Sequence, residues 1–491
     1  MDTKKPKPEA LPEGRDFASY LDRRNFLRSS VLAGGGGLLL TSKSAIAQKK
    51  SGDVSVAIVG CGAQGNAQFE SMRMIEGGYR IDAVCDIISI PARRMAANAV
   101  AYKMGEPAIY SDIDEMLDKE DGLDAVFIAT PDFLHAPMSE KVLGKNLACY
   151  CEKMMSNTIE GAKRMVRAGA ASSKPYQIGH QRRSNPRYLN LKNNIFHGEE
   201  ILGRVTHAYG QWNRAVGAKN VWKGERSEKA LQITEEELAK YGYESGDAFV
   251  NWRWYKKYGA GPISDLGAHQ IDVFNWYFGT TPRSVIASGG VNYYEGSEVD
   301  DNVMAIYEYD QPGGKTSRAY YQVLTTTGSQ GFYEKWMGDE GSAVMSELPD
   351  NGNQLYRESR STKDWAKLSA PGGPLEGKIR NAEAVYHKFW QQPKDWPGPH
   401  LPSRWNADKA KNLADTRISK GLEAWEMGID LEVRPHTPHI ANFLEAVRQD
   451  DPGMVNCTVQ SAFETCVTVL TINEAIAKEA KVMFKPEDFV A

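Results

Sequence analysis

The segment from Val54 to Gly65 constrains this chain more than any other. Val54-Ser-Val-Ala-Ile-Val59 is a short run rich in β-branched residues, the pattern of a strand buried on both faces. Gly60-Cys61-Gly62-Ala63-Gln64-Gly65 follows at once and leads into a helix-like stretch. Gly60 permits the tight turn, Gly62 lets backbone approach a pyrophosphate, and Gly65 lets helix and strand pack closely. Ala63 and Gln64 open the helix, whose N-terminus faces phosphate charge. Asp86 ends the next apolar run, 21 residues after Gly65, where a carboxylate holds an adenosine ribose. Ile87-Ile88 follow rather than an arginine, which favours NAD. NADP remains an option, because Arg93 or Arg94 could reach a 2′-phosphate.

Further apolar runs at Arg80–Cys85, Ala125–Ala129, Leu147–Cys151 and Tyr176–Gly179 alternate with helix-like stretches. That rhythm predicts a doubly wound α/β Rossmann domain over residues 51–179. After Gly179 the pattern changes to longer alternating runs at Gly203–Tyr209, Val285–Val291, Asp301–Tyr309 and Arg318–Thr326. These predict a large, mainly antiparallel open sheet in a second α+β domain, 180–491, for substrate binding and oligomerisation. Within it, 350–430 is polar and weakly patterned and reads as an insertion wrapped on that domain. Two apolar-periodic helices, Ile440–Arg448 and Val459–Ala480, close the chain.

Residues 1–50 do not read as fold. Pro6, Pro8 and Pro12 punctuate a polar, disordered start, followed by Arg23-Arg24, a glycine-interrupted apolar stretch and Ala45-Ile46-Ala47. This is the plan of a twin-arginine secretory signal, with cleavage expected after Ala47, engagement of the twin-arginine translocon and a periplasmic destination. The four glycines at 34–37 oppose a stable helix, and the apolar stretch is shorter than the ~20 residues needed to span a bilayer.

A net charge of −4 gives no basic footprint for nucleic acid. Six cysteines without a C-x-x-C pair argue against a disulfide scaffold or a zinc site, and no metal is expected.

Three motifs then converge. Thr130-Pro131-Asp132-Phe133-Leu134-His135 leaves the fourth strand and Glu152-Lys153-Met154 the fifth, so both loops border the ligand crevice. Thr130, Pro131, His135, Glu152 and Lys153 are therefore candidate cofactor-binding residues. Asp265, His269 and Asp272 stand at i, i+4 and i+7. On a helix they share one face, where a carboxylate can fix the imidazole tautomer for proton transfer. The supply of 11 Trp and 22 Tyr suits carbohydrate stacking. Trp212, Trp252 and Trp254 flank the motifs, but core packing is the commoner reason for such residues, and none is assigned to substrate.

Together these motifs resemble the glucose-fructose oxidoreductase/inositol dehydrogenase (Gfo/Idh/MocA) family, well over residues 53–310 and loosely beyond. The resemblance implies a nucleotide-dependent sugar or polyol oxidoreductase, commonly a homo-oligomer. It implies Lys153 near the nicotinamide and substrate hydroxyl, and His269 as general acid/base. Asp265 would be its orienting partner and Asp272 a substrate contact, with Gln181 and Arg182 as further substrate candidates from Gly179-His-Gln-Arg-Arg183. Met154 replaces the family's proline, whose peptide bond is often cis. A cis bond before Met costs about 2.5–4 kcal/mol, so either this turn is trans or other contacts hold it. Two other functions remain open: a NAD-dependent glycoside hydrolase or epimerase using transient oxidation, and a non-catalytic carbohydrate- or nucleotide-binding protein.

Overall fold

A computed structural model describes residues 52–215, 233–347, 353–375, 379–380, 422–427, 429 and 431–491. The twin-arginine segment with its Ala47 cleavage site lies outside the described residues, as does 381–421 of the expected insertion.

The first sheet is built from β1 (Val54–Val59), β2 (Tyr79–Cys85), β3 (Ala108–Tyr110), β4 (Ala125–Ile128), β5 (Ala148–Cys151) and β6 (Tyr176–Ile178). All are parallel, in the order β3-β2-β1-β4-β5-β6. Every residue of β1, β4 and β5 is buried, because helices cover both faces of the sheet. This is the expected Rossmann architecture.

Side chains of β1 divide by parity. Val54, Val56 and Ile58 join Phe69 and Met72 of helix α1 (Ala63–Met72), whereas Ala57 and Val59 enter the core on the opposite face.

The second sheet has ten strands: β7 (Val205–Asn213), β8 (Ser284–Gly290), β9 (Asn302–Gln311), β10 (Lys315–Leu324), β11 (Phe332–Gly338), β12 (Gly341–Met345), β13 (Gln354–Arg357), β14 (Ile379–Arg380), β15 (Ala424–Glu426) and β16 (Val482–Met483). Their order is β14-β15-β13-β12-β11-β7-β10-β9-β8-β16, and all pairings are antiparallel except β7 with β10. The described parts of 350–430 thus extend one edge of the sheet through β13, β14 and β15, rather than only wrapping around it.

Helix α2 (Ala268–Phe278) lies against the inner face of this sheet, with Phe274 and Tyr277 packed on Trp336 of β11.

The domain division expected at residue 179 needs one correction. Helix α3 (Thr437–Gln449), far along the chain, packs on α1 and β1 and places Ile440, Phe443, Leu444 and Val447 in the Rossmann core. Its apolar stripe is the one the periodicity predicts, but its partner is the first domain. Helix α4 (Val459–Lys478) then joins the domains, touching the helix Ile159–Ala171, α2 and β8.

Candidate active site

The glycine loop has the geometry its sequence requires. Gly60 has φ +89°, and a Cβ there would lie 2.6 Å from the Ala129 carbonyl oxygen. A Cβ on Gly65 would lie 1.8 Å from the Gly60 carbonyl oxygen, so the loop can close only over a bare residue. Helix α1 starts after Gly62 with no side-chain cap and no acidic residue in its first turn. Its first N–H groups, at Ala63 and Gln64, are therefore left for an anion, and the loop fits a dinucleotide's pyrophosphate. Asp86 fastens this loop to the end of β2: its carboxylate accepts from the backbone N–H of Cys61 (2.7 Å) and of Ile88 (2.8 Å).

Two of the expected cofactor contacts turn out to brace the crevice from behind. Glu152 is buried, and its Oε1 accepts from Gln64 Nε2 (3.0 Å) and Gln68 Nε2 (2.9 Å) of α1. The Gln64 amide also meets His436 Nε2 at 3.1 Å. His135 is fully buried between two loops, Nδ1 2.7 Å from the Met154 carbonyl oxygen and Nε2 2.8 Å from that of Thr130. The polar atoms of both residues are engaged by the scaffold. Pro131 precedes the turn Asp132–Leu134 that leads into the helix of His135. The peptide bond between Lys153 and Met154 is cis.

Lys153 leaves this braced turn and reaches the second domain. Its Nζ donates to the Asp265 carbonyl oxygen (2.5 Å) and lies 3.6 Å from Asp265 Oδ1. Arg253 Nε is 3.1 Å from the same carboxylate oxygen. Burial pushes the Asp265 carboxyl up, but the charges of Arg253 and Lys153 outweigh it and hold its pKa at about 2. Asp132, also buried, behaves oppositely. Burial and the Asp265 charge push its carboxyl up to about 7 against the pull of Lys153 and Arg253.

The shared face expected of Asp265, His269 and Asp272 does not form. Asp265 sits in a π-helical turn, Ile263–Gly267, whose wider winding breaks the i, i+4 alignment with His269 on α2. Its carboxylate faces Lys153 and Arg253 instead. Asp272 points elsewhere, gripped by Arg183 through three contacts of 2.8–3.1 Å and by Thr465 Oγ1 at 2.8 Å, all buried. These contacts tie α2 to α4 and to the segment after β6, and they occupy the carboxylate expected to meet substrate. Gln181 and Arg182 are likewise buried against carboxylates. Gln181 Nε2 donates to Glu347 Oε1 (3.1 Å), and Arg182 pairs with Glu334 and Glu347 inside the second domain.

His269 remains at the site, with its ring 5.3 Å from that of Trp212, which in turn stacks on Phe332 at 4.2 Å. Burial, reinforced by the positive charges of Lys153 and Arg182, holds the His269 pKa well below the usual value. The imidazole is thus held in its neutral form. Sequence reasoning missed Asp132 and Arg253, although both stand beside residues it singled out. It left Trp212 unassigned because an aromatic residue near a motif has no sequence mark that separates lining from core.

Two family models match the chain. One, described as the oxidoreductase family with an NAD-binding Rossmann fold, spans residues 54–180, and the GFO/IDH/MocA C-terminal domain spans 238–344. Inositol 2-dehydrogenase of Rubrobacter xylanophilus is 30% identical over 146 residues, 30% of this chain and 40% of that protein. The Agrobacterium fabrum enzyme of the same name is 29% identical over 157 residues, 31% and 45% of the two chains. The chain thus matches less than half the length of these curated relatives. Among solved structures, a levoglucosan dehydrogenase in complex with NADH aligns over 88% of this chain and 99% of its own, at 17% identity and a TM-score of 0.60. A myo-inositol 2-dehydrogenase from Lactobacillus plantarum aligns over 88% and 100%, at 15% identity and a TM-score of 0.56.

Proposed function

We propose that this chain, which the models of the oxidoreductase family's NAD-binding Rossmann fold and of the GFO/IDH/MocA C-terminal domain match over 54–180 and 238–344, oxidises a secondary hydroxyl of a sugar, polyol or glycoside. The observation that carries this reading is the meeting of Lys153 and Asp265 across the crevice, beside a neutral His269. Bound NAD would supply the hydride acceptor. Lys153 then hydrogen-bonds the substrate hydroxyl, His269 takes its proton, and Asp265 with Arg253 keeps the lysine aimed. Trp212, stacked on Phe332, packs beside His269 and holds its ring in place.

NAD rather than NADP follows from Asp86 and the absence of an arginine at 87 or 88. The twin-arginine pattern adds a constraint of location. Outside the cytoplasm free nucleotide is scarce, so a useful enzyme keeps its NAD and returns it to the starting state in each cycle. Coupled oxidation and reduction of two sugars meets that condition, as does transient oxidation followed by elimination or epimerisation and re-reduction. Homo-oligomerisation through the open sheet belongs to the same reading.

The test is Lys153→Ala, assayed by nucleotide absorbance against a carbohydrate panel. NAD affinity should be retained while the chemical step falls by about 10²–10⁴. Unchanged turnover would remove Lys153 from the mechanism.

A further inference from the structure

Between β7 and α2 the chain makes an excursion to the Rossmann domain. Its described part includes a helix, Glu235–Lys240, closed by a capping box in which Thr234 and Glu237 exchange hydrogen bonds. A second short helix, Gly246–Val250, is capped by Ser245. The excursion divides its apolar residues, with Trp254 packed on Tyr294 and Val299 of its own domain and the rest turned to the Rossmann domain. Ile233, Leu238, Tyr243, Ala248 and Tyr258 form a cluster with Ile88, and Ile87 and Phe133 pack against it. The Phe133 ring lies 5.3 Å from Tyr243 and 5.1 Å from Tyr258. Further along, Asn157 Nδ2 donates to the carbonyl oxygens of Lys256 (3.3 Å) and Lys257 (3.0 Å).

The anchor points fall on both sides of the glycine loop. Ile87 and Ile88 follow β2, Phe133 follows β4 and Asn157 follows β5, while β1 lies between β2 and β4 in the sheet. A segment fastened to the β2 loop on one flank and the β4 and β5 loops on the other must pass the carboxyl end of β1. In an open parallel sheet that is where the dinucleotide lies.

We propose that residues 233–258 form a strap that roofs the adenosine half of the cofactor groove, with Ile88, Phe133 and Tyr243 as its apolar lining, so that the nucleotide leaves only when the strap lifts. The proposal rests on the dinucleotide reading of the glycine loop and adds that the cofactor is captive. The placement of Tyr243 is supported by its phenol, whose pKa is raised by burial and by the Asp86 charge. Asp86 is the carboxylate that holds the glycine loop.

The experiment follows nucleotide release from the full chain loaded with NAD and moved to nucleotide-free buffer, with no sugar present. Tyr243→Ala and Tyr258→Ala should each raise the dissociation rate at least tenfold. Because either variant could disturb folding, hydrogen exchange is also measured on the unmodified protein with and without NAD. Stripping the nucleotide should raise exchange in 235–258 well above any change in β9 and β10. Release at the wild-type rate from both variants, or exchange in 235–258 indifferent to NAD, would overturn the strap alone. A chain that binds no NAD at all would overturn both the strap and the reading beneath it. Turnover does not enter, so an error about the substrate leaves the result intact.

Discussion

Lys153 and Asp265 meet twice, through a 2.5 Å hydrogen bond from the ammonium to the Asp265 backbone carbonyl and through a 3.6 Å approach to its carboxylate. The first contact depends only on the backbone, and the second carries charge that Arg253 shares. Asp265→Asn therefore separates them. It should leave the NAD dissociation constant within about twofold while slowing single-turnover hydride transfer by roughly 10–100-fold, the effect of a misaligned reacting group. A variant that only melts earlier, with its chemical step intact, would reduce Asp265 to scaffold.

Asp272 makes the contrasting case. Its carboxylate is held by Arg183 and Thr465 away from water, and removing one partner of such a pair costs about 3–5 kcal/mol. Asp272→Asn should lower the midpoint of urea unfolding accordingly. In the protein that stays folded, KM for any substrate found should change little. A large rise in KM without loss of stability would restore a role in substrate binding.

Asp132 predicts a pH effect of defined sign. Its folded pKa of about 7 exceeds the ordinary aspartate value near 3.9, so between those limits the native state holds more protons than the unfolded chain. This stabilising contribution is whole below about pH 4 and is lost as pH rises through 7. Asp132→Asn should match the wild type at pH 4 and exceed it at pH 8, by at most about 4 kcal/mol. Equal unfolding midpoints at both pH values would show that this carboxyl ionises normally.

For the glycine loop the decisive substitution is Gly65→Ala, whose Cβ would strike the Gly60 carbonyl oxygen. NAD affinity measured by fluorescence titration should fall at least about a hundredfold, equivalent to about 2.7 kcal/mol. Retained affinity would mean that the loop can open elsewhere without losing its ligand.

The Rossmann half was legible because its information is local. A β-branched run, a glycine turn and a carboxylate at a fixed distance each imply the next element, and β1, β2, β4, β5 and β6 lie where the apolar runs put them. The partners of buried charges were not legible. Arg183 and Asp272 are 89 residues apart, and Arg182 and Glu334 are 152 apart. Spacing on one helix therefore suggested a face that tertiary ion pairs overrode. The excursion at 233–258 was missed for a similar reason. Its short helices carry local caps, but their apolar residues find their complement at Ile88 and Phe133 in another domain.

Helix α3 has a consequence for how the protein is made. Phe443 packs edge-on against Phe127 of β4 (5.3 Å) and Tyr150 of β5 (5.6 Å), so the nucleotide-binding sheet is covered by residues translated long after its strands. A ribosome that stops short of Thr437 releases a chain whose first domain has every strand and its glycine loop, yet an open apolar face. The core on which the glycine loop stands therefore closes only once synthesis has passed α3, long after the last strand of its sheet.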